Sequence, residues 1–332
     1  MSAAMHKNVS CSIEPDRPSY RAGETFSGDV ILDFHAATTT KNVGAVFVGQ
    51  LTTAKAKEGN KNEALVETEQ IVTLPLGLNF GVSAAGLQVF VHQEEEHSFE
   101  VGKYRFPVKA QLPTTLPSTV RGAGLCTPNS KGTAGKMPKF ELAYFVDVTI
   151  KAKQTFGSWE KNAKLEVPVF GQADLSGASA LQQPKRFEAH HDVKGFLGLS
   201  LFGAGKVHFK VDLPKAVYSP GDTLPIAVAV DNKSTKAVAQ IRIVLAARVD
   251  YRPPGETAKR REQLADVVTA ECSGVGAKES RQLEVALELP ATLAPTLAEH
   301  QCARLQRFYD LQLSAVVDTE AVVIAKSEVV IL

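Results

Sequence analysis

The sequence predicts an all-β protein made of two β-sandwiches in tandem. Three observations predict it. Apolar and polar residues alternate along many short runs, long helical periodicity is nearly absent, and a series of features in the first half returns in the same order in the second. The 332 residues suffice for about two domains.

The alternation is clearest in three runs. Tyr144, Val146, Val148 and Ile150 alternate with Phe145, Asp147, Thr149 and Lys151. Val207, Phe209 and Val211 alternate with Lys206, His208, Lys210 and Asp212, and Leu283, Val285, Leu287 and Leu289 with Gln282, Glu284, Ala286 and Glu288. A period of two places one face in a core and the other in water. The more continuously apolar runs Val43–Val48, Ile226–Val230 and Ile241–Ala247 read as interior strands. Glu262–Ala270 has room for two helical turns, but β-branched Val267, Val268 and Thr269 make it a strand. The 24 glycines and 17 prolines interrupt these runs at short intervals, as a sandwich requires.

The repeat sets the domain organisation. Tyr20-Arg21-Ala22-Gly23-Glu24-Thr25 precedes the strand Asp29–Phe34, and Tyr218-Ser219-Pro220-Gly221-Asp222-Thr223 precedes the strand Ile226–Val230. In both, an aromatic is followed by a glycine turn, an acid and a threonine. Phe106–Ser118 likewise matches Val285–Pro295, each a strand ending in Leu-Pro, then Thr-Leu, then another proline. A tyrosine-bearing strand follows in both halves, Phe140–Ile150 and Phe308–Val317. The expected boundaries are residues 1–171 for the first sandwich, 172–195 for a connector and 196–332 for the second. Thr127–Lys139, rich in Gly, Pro and Lys, reads as a solvated loop within the first domain.

Composition narrows the function classes. Net charge is +1, so no global field favours nucleic acid or an anionic membrane. Cys11, Cys126, Cys272 and Cys302 lie far apart with no CxxC pair, and read as reduced structural residues of a cytosolic protein. The N-terminus lacks an apolar signal core, and no run reaches the roughly 18 apolar residues of a membrane helix.

At this point the residues resemble a known family. Tyr20-x-x-Gly23-Glu24, Gly28-Asp29-Val30, Gly102-Lys103-Tyr104-x-Phe106-Pro107-Val108 and Leu112-Pro113-x-x-Leu116-Pro117-Ser118 are similar to the arrestin signature G-x-Y-x-F-P-F … L-P-x-x-L-P-S-S, with Val108 and Thr119 as conservative departures. The second half carries Tyr218-x-x-Gly221-Asp222, Asn232, the Tyr309 strand and the apolar Val329–Leu332. The likeness runs over about residues 8–332 and looks closest to the α-arrestin (arrestin domain-containing) branch. It implies two arrestin-like, immunoglobulin-like sandwiches of about seven strands each, hinged and elongated. It further implies a non-enzymatic cytosolic adaptor without cofactors, acting in protein transport, endocytosis or signalling. Its partners would be receptor or transporter tails or trafficking proteins, met at the plasma membrane or endosomes, with no nucleic acid. The retromer cargo-adaptor subunit shares the fold, so a coat-subunit role is the alternative. α-Arrestins often carry PPxY motifs in a C-terminal tail that recruit ubiquitin ligases. Here the one proline pair, Arg252-Pro253-Pro254-Gly255, has no suitably placed Tyr and the chain ends on a strand, so ligase recruitment is not implied.

Motifs that would demand chemistry are missing. Gly198–Val207 resembles a phosphate loop only superficially, because Val207 follows Lys206 and Ser200 stands where the first glycine belongs. His190 and His191 are adjacent, so on an extended chain they face opposite ways and do not share an ion; with Asp192 they read as polar linker. Glu94-Glu95-Glu96 reads as a solvated turn. Basic residues remain as candidate contacts. The resemblance offers Lys7 and Lys151, with Lys153 beside the latter, for reading phosphate on a partner. Lys206 and Lys210 share one strand face, and with the loop cluster Lys259-Arg260-Arg261 they form a candidate basic surface. No buried Asp–Arg network is legible in the sequence.

Overall fold

A computed structural model describes the chain apart from residues 1–3, 7, 58–59, 79, 84–87, 91–95, 123, 129–133, 154–157, 173–180, 194–204 and 318. The chain divides into two compact units, one starting from Met1–Gln172 and the other holding Ala173–Arg252 and Glu256–Leu332.

The strands of the first unit are β1 (Ala4–His6), β2 (Val9–Pro15), β3 (Tyr20–Arg21), β4 (Thr25–Phe34), β5 (Thr38–Lys57), β6 (Asn60–Leu76), β7 (Phe80–Ser83), β8 (Gln88–Phe90), β9 (His97–Phe99), β10 (Gly102–Gln111), β11 (Val120–Arg121), β12 (Gly124–Pro128), β13 (Ala134–Pro138), β14 (Phe140–Lys153), β15 (Ser158–Glu166) and β16 (Val169–Phe170). One sheet runs β1-β2-β4-β10-β7-β8 and the other β11-β14-β5-β6, with β15 beside β14 and β9 beside β5. The alternation read from sequence explains why they face each other. Phe140, Leu142, Tyr144, Val146, Val148 and Ile150 of β14 are fully buried. From the other sheet come Phe26, Leu32 and Phe34 of β4 and Phe106 of β10. Phe99 stacks on Phe34 with ring centroids 4.5 Å apart and meets Tyr104 edge-on at 5.2 Å.

The second unit contains β17 (Lys185–Val193), β18 (Gly205–Leu213), β19 (Val217–Tyr218), β20 (Thr223–Asn232), β21 (Val238–Tyr251), β22 (Arg260–Val275), β23 (Ser280–Glu288), β24 (Leu305–Val317) and β25 (Glu320–Ile331). Its sheets are β17-β18-β20-β23 and β19-β25-β24-β21-β22. Val207, Phe209, Val211, Leu283 and Leu287 point into this core, as their spacing predicts. The three continuous apolar runs lie in β5, β20 and β21, each of which has a strand paired on both sides. Glu262–Ala270 lies in β22, a strand as expected.

The same contacts recur in both units. Gly23 and Gly221 adopt φ of 85° and 87°, a left-handed conformation that glycine enters without steric cost. Glu24 accepts the Arg21 N–H at 2.8 Å, and Asp222 accepts the Ser219 N–H at 2.8 Å. Leu112 N–H donates to Glu24 O and Leu289 N–H to Asp222 O. The Tyr144 hydroxyl donates to Pro117 O at 2.7 Å, and the Tyr309 hydroxyl to Ala294 O at 2.5 Å, so the tyrosine strand holds the Leu-Pro-rich turn in each half. Asn232, buried at the end of β20, donates to Lys236 O and Gly276 O and accepts from Ser234, which ties the β20–β21 loop to the β22–β23 loop.

Two stretches differ from the sequence reading. Lys185–Val193, placed in the connector 172–195, is an edge strand in register with β18 over its whole length. Only one row of it packs on the core and only one neighbour pairs with it, so its hydrophobic signal is thin. Within Thr127–Lys139, read as a loop, Pro128 ends β12 and Ala134–Pro138 form β13. These two strands make a separate hairpin whose glycines and terminal prolines hide it from pattern reading.

Candidate interaction surfaces

The candidate cations are mostly engaged by acids. Lys7 lies outside the described residues. Lys151 and Lys153 share the exposed face of β14, where Lys151 meets Glu160 at 3.4 Å and Lys153 pairs with Glu96. The latter pair accounts for one of the three neighbouring glutamates; Glu94 and Glu95 lie outside the described residues. Lys206 meets Asp192 at 3.1 Å, and that hydrogen bond, with the ammonium charge, holds the Asp192 carboxyl below its usual range. Lys210, beside Glu188 in register, makes no ion pair among the described residues.

The basic surface proposed from sequence is divided between two sheets. Lys206 and Lys210 lie on β18, whereas Lys259 precedes β22 and Arg260 and Arg261 open it as strand residues. Lys259 is held by Glu299 and Gln306, both at 2.8 Å, Arg260 by Glu256 at 2.7 Å and Arg261 by Asp250 at 3.2 Å. Surface pairs of this kind stabilise little but cancel much of the local positive field.

The outer face of β17-β18-β20-β23 is an open trough. One concavity is lined by Glu188, His190, His208, Lys210, Asp231 and Gln282, and a second by Arg186, Asp212, Pro214, Pro225, Ala227 and Glu284. Small side chains of β20 form the floor and longer charged ones the walls, because strand parity sends Arg186, Glu188, His190 and Asp192 outward while Phe187 packs inward on the core. His190 therefore meets His208 across the strand pair, with ring centroids 6.0 Å apart, and not His191. Among the described residues no group of three or more His, Cys, Asp or Glu is arranged to hold a metal ion. Burial pushes the Cys11 thiol up to about 12 and raises the Cys272 thiol, so neither offers a thiolate at neutral pH.

A polar network invisible in the sequence lies on the opposite sheet of the second unit. The Arg248 side chain is 12% exposed and faces Asp250 at 3.7 Å, Asp310 at 3.5 Å and Glu328 at 3.5 Å. Its guanidinium lies over the Phe308 ring at 4.6 Å. Arg261 adds a second cation on Asp250. Burial raises the Glu328 carboxyl above its ordinary range despite the opposing pull of Arg248, with Asp310 and Asp250 adding to the rise. Arg248, Arg261, Asp310 and Glu328 come from four different strands, and no local spacing reveals them.

Residues 9–176 match the family model of the arrestin (or S-antigen) N-terminal domain, and residues 203–332 match that of the arrestin (or S-antigen) C-terminal domain. β17 falls between the two matches. No curated protein matches the chain. No helix among the described residues is long and apolar enough to cross a membrane. With a sandwich pair carrying the same turn and tyrosine contacts twice, and both family models matched in order, the chain belongs to the arrestin superfamily.

Proposed function

We propose that this chain is a non-enzymatic cytosolic adaptor of the α-arrestin kind, which binds receptor or transporter tails or trafficking proteins at the plasma membrane or endosomes. Arrestins as a family are adaptors, and a protein-binding role in general follows from membership. The observation that carries the finer reading is the supply of open sheet edges. β6 is a 17-residue strand at the end of its sheet with Leu65 and Val66 exposed, and β17, β22 and β23 also end their sheets. An edge strand presents unpaired N–H and C=O groups to which an extended tail adds as a further strand, with side chains giving selectivity. Lys151 and Lys153 are the positions at which a phosphorylated tail would exchange one anion for another, since carboxylates already hold both.

Affinity purification of the full chain from cells, with identification by mass spectrometry, tests this. Membrane receptors, transporters or trafficking proteins are expected among the reproducible partners. Recovery of soluble metabolic enzymes alone would overturn the reading.

A further inference from the structure

The edge strand β17 carries a charge pattern that complements itself. Its nine residues pair with β18 without a bulge, and among the described residues nothing pairs with its other side. It contains neither Pro nor Gly. The outward row reads Arg186, Glu188, His190, Asp192, so basic and acidic side chains alternate along it. Arg186 is 60% exposed and Asp192 67% exposed, so both remain open to a partner while touching Asp212 and Lys206 of their own sheet.

We propose that β17 is a homodimerisation edge, at which two copies of this chain join their sheets antiparallel about a two-fold axis through Ala189. In that register Arg186 of one copy faces Asp192 of the other, and Glu188 faces His190, each pair occurring twice by symmetry. The rows extend into the flanking strands: Asp212, Arg186, then Asp192 and Lys206 of the second copy alternate in sign across four strands. The inner row sets Phe187 against His191 and Ala189 against itself. Phe187, Ala189 and His191 are all only half-buried in the single chain, so the added strand covers them. Sliding by two residues in one direction sets Glu188 on Glu188, and in the other sets Glu188 on Asp192; both repel, which fixes the register.

The other long edges of the second unit lack this property. β22 carries register shifts opposite Leu245/Ala246 and Ala247/Arg248, so it does not offer a second copy of itself one unbroken register. β23 presents Glu284 and Glu288 on its outward row, so self-pairing centred there brings carboxylates together.

Sedimentation equilibrium of the full chain over a wide concentration range tests the proposal. The parent is expected to reach about twice the 35.6 kDa chain mass as concentration rises. R186D sets two carboxylates against each other twice per dimer, and D192R does the same with two guanidinium groups. Each variant alone is expected to stay monomeric. Their equimolar mixture is expected to recover the dimer, because each mutated position then faces an opposite charge. Circular dichroism establishes that both variants fold, and these exposed pairs contribute little to stability. A189C is expected to give a disulfide-linked dimer under mild oxidation, since directly opposed residues of an antiparallel pair lie within disulfide reach. A parent that stays monomeric at every concentration, single variants that dimerise as the parent does, or folded variants whose mixture stays monomeric would each overturn it.

Discussion

Replacing Arg248 with methionine is expected to destabilise the second sandwich by about 3 kcal/mol at neutral pH, the lower end of the cost of stripping the partner from a buried ion pair. The arginine is the shared counter-charge of three acids, all within 4 Å. Asp250 and Asp310 are 16% and 13% exposed, so water screens them poorly once the cation is gone. Arg261 still reaches Asp250, which places the loss at the low end. The pH dependence has a definite sign. The folded state already holds the Glu328 proton more tightly than the unfolded chain, because burial raises that carboxyl. Its contribution to stability is therefore greatest at low pH and is lost as pH climbs from the ordinary carboxylate range to the raised value. Without Arg248 the raised range widens, so the gap between variant and parent should narrow as pH falls toward about 4. Urea denaturation across pH measures both quantities. A loss below about 1 kcal/mol at neutral pH, or one that grows in acid, would contradict the assignment of Arg248 as the charge that holds these acids.

Phe99→Ala is expected to destabilise the first sandwich by about 4 kcal/mol, in the range found for removing a buried aromatic ring. Phe99 is 1% exposed and lies against Phe34, Tyr104 and Phe106 from two other strands. β9 supplies only three residues, so local backbone pairing has little capacity to hold the site in place once the ring is gone. Hydrogen exchange should quicken first along β4 and β10, whose rings lose their partner, while the core amides of β20 and β21 exchange as before. A cost under about 1.5 kcal/mol would mean that the cluster closes over the void.

The parts of the fold that the sequence reveals are those with a clean period and a buried row. β14, β18 and β23 announce themselves because a face of Val, Leu, Ile and aromatic residues alternates with polar ones. The duplicated turn was visible because a φ near +86° selects glycine at two equivalent positions, 23 and 221. β17 was hidden because its inward row is Phe, Ala, His and Val, too weak to separate from a connector. The surfaces were harder still. Lysines are easily counted in a sequence, but the acids that meet them are not, since Glu96, Glu160 and Asp192 approach only once strands have paired. The Arg248 network draws on positions up to 80 residues apart, which single-sequence spacing cannot connect.

The claim that the chain grips extended partners along its sheet edges is tested most directly by hydrogen exchange of the full chain with a captured partner's cytoplasmic tail added as a peptide. Slowed exchange is expected along one end strand, β6, β22 or β23, with the amides of central β5, β20 and β21 unchanged. A bound peptide that protects no end strand, or one that the chain cleaves or modifies, would contradict the account.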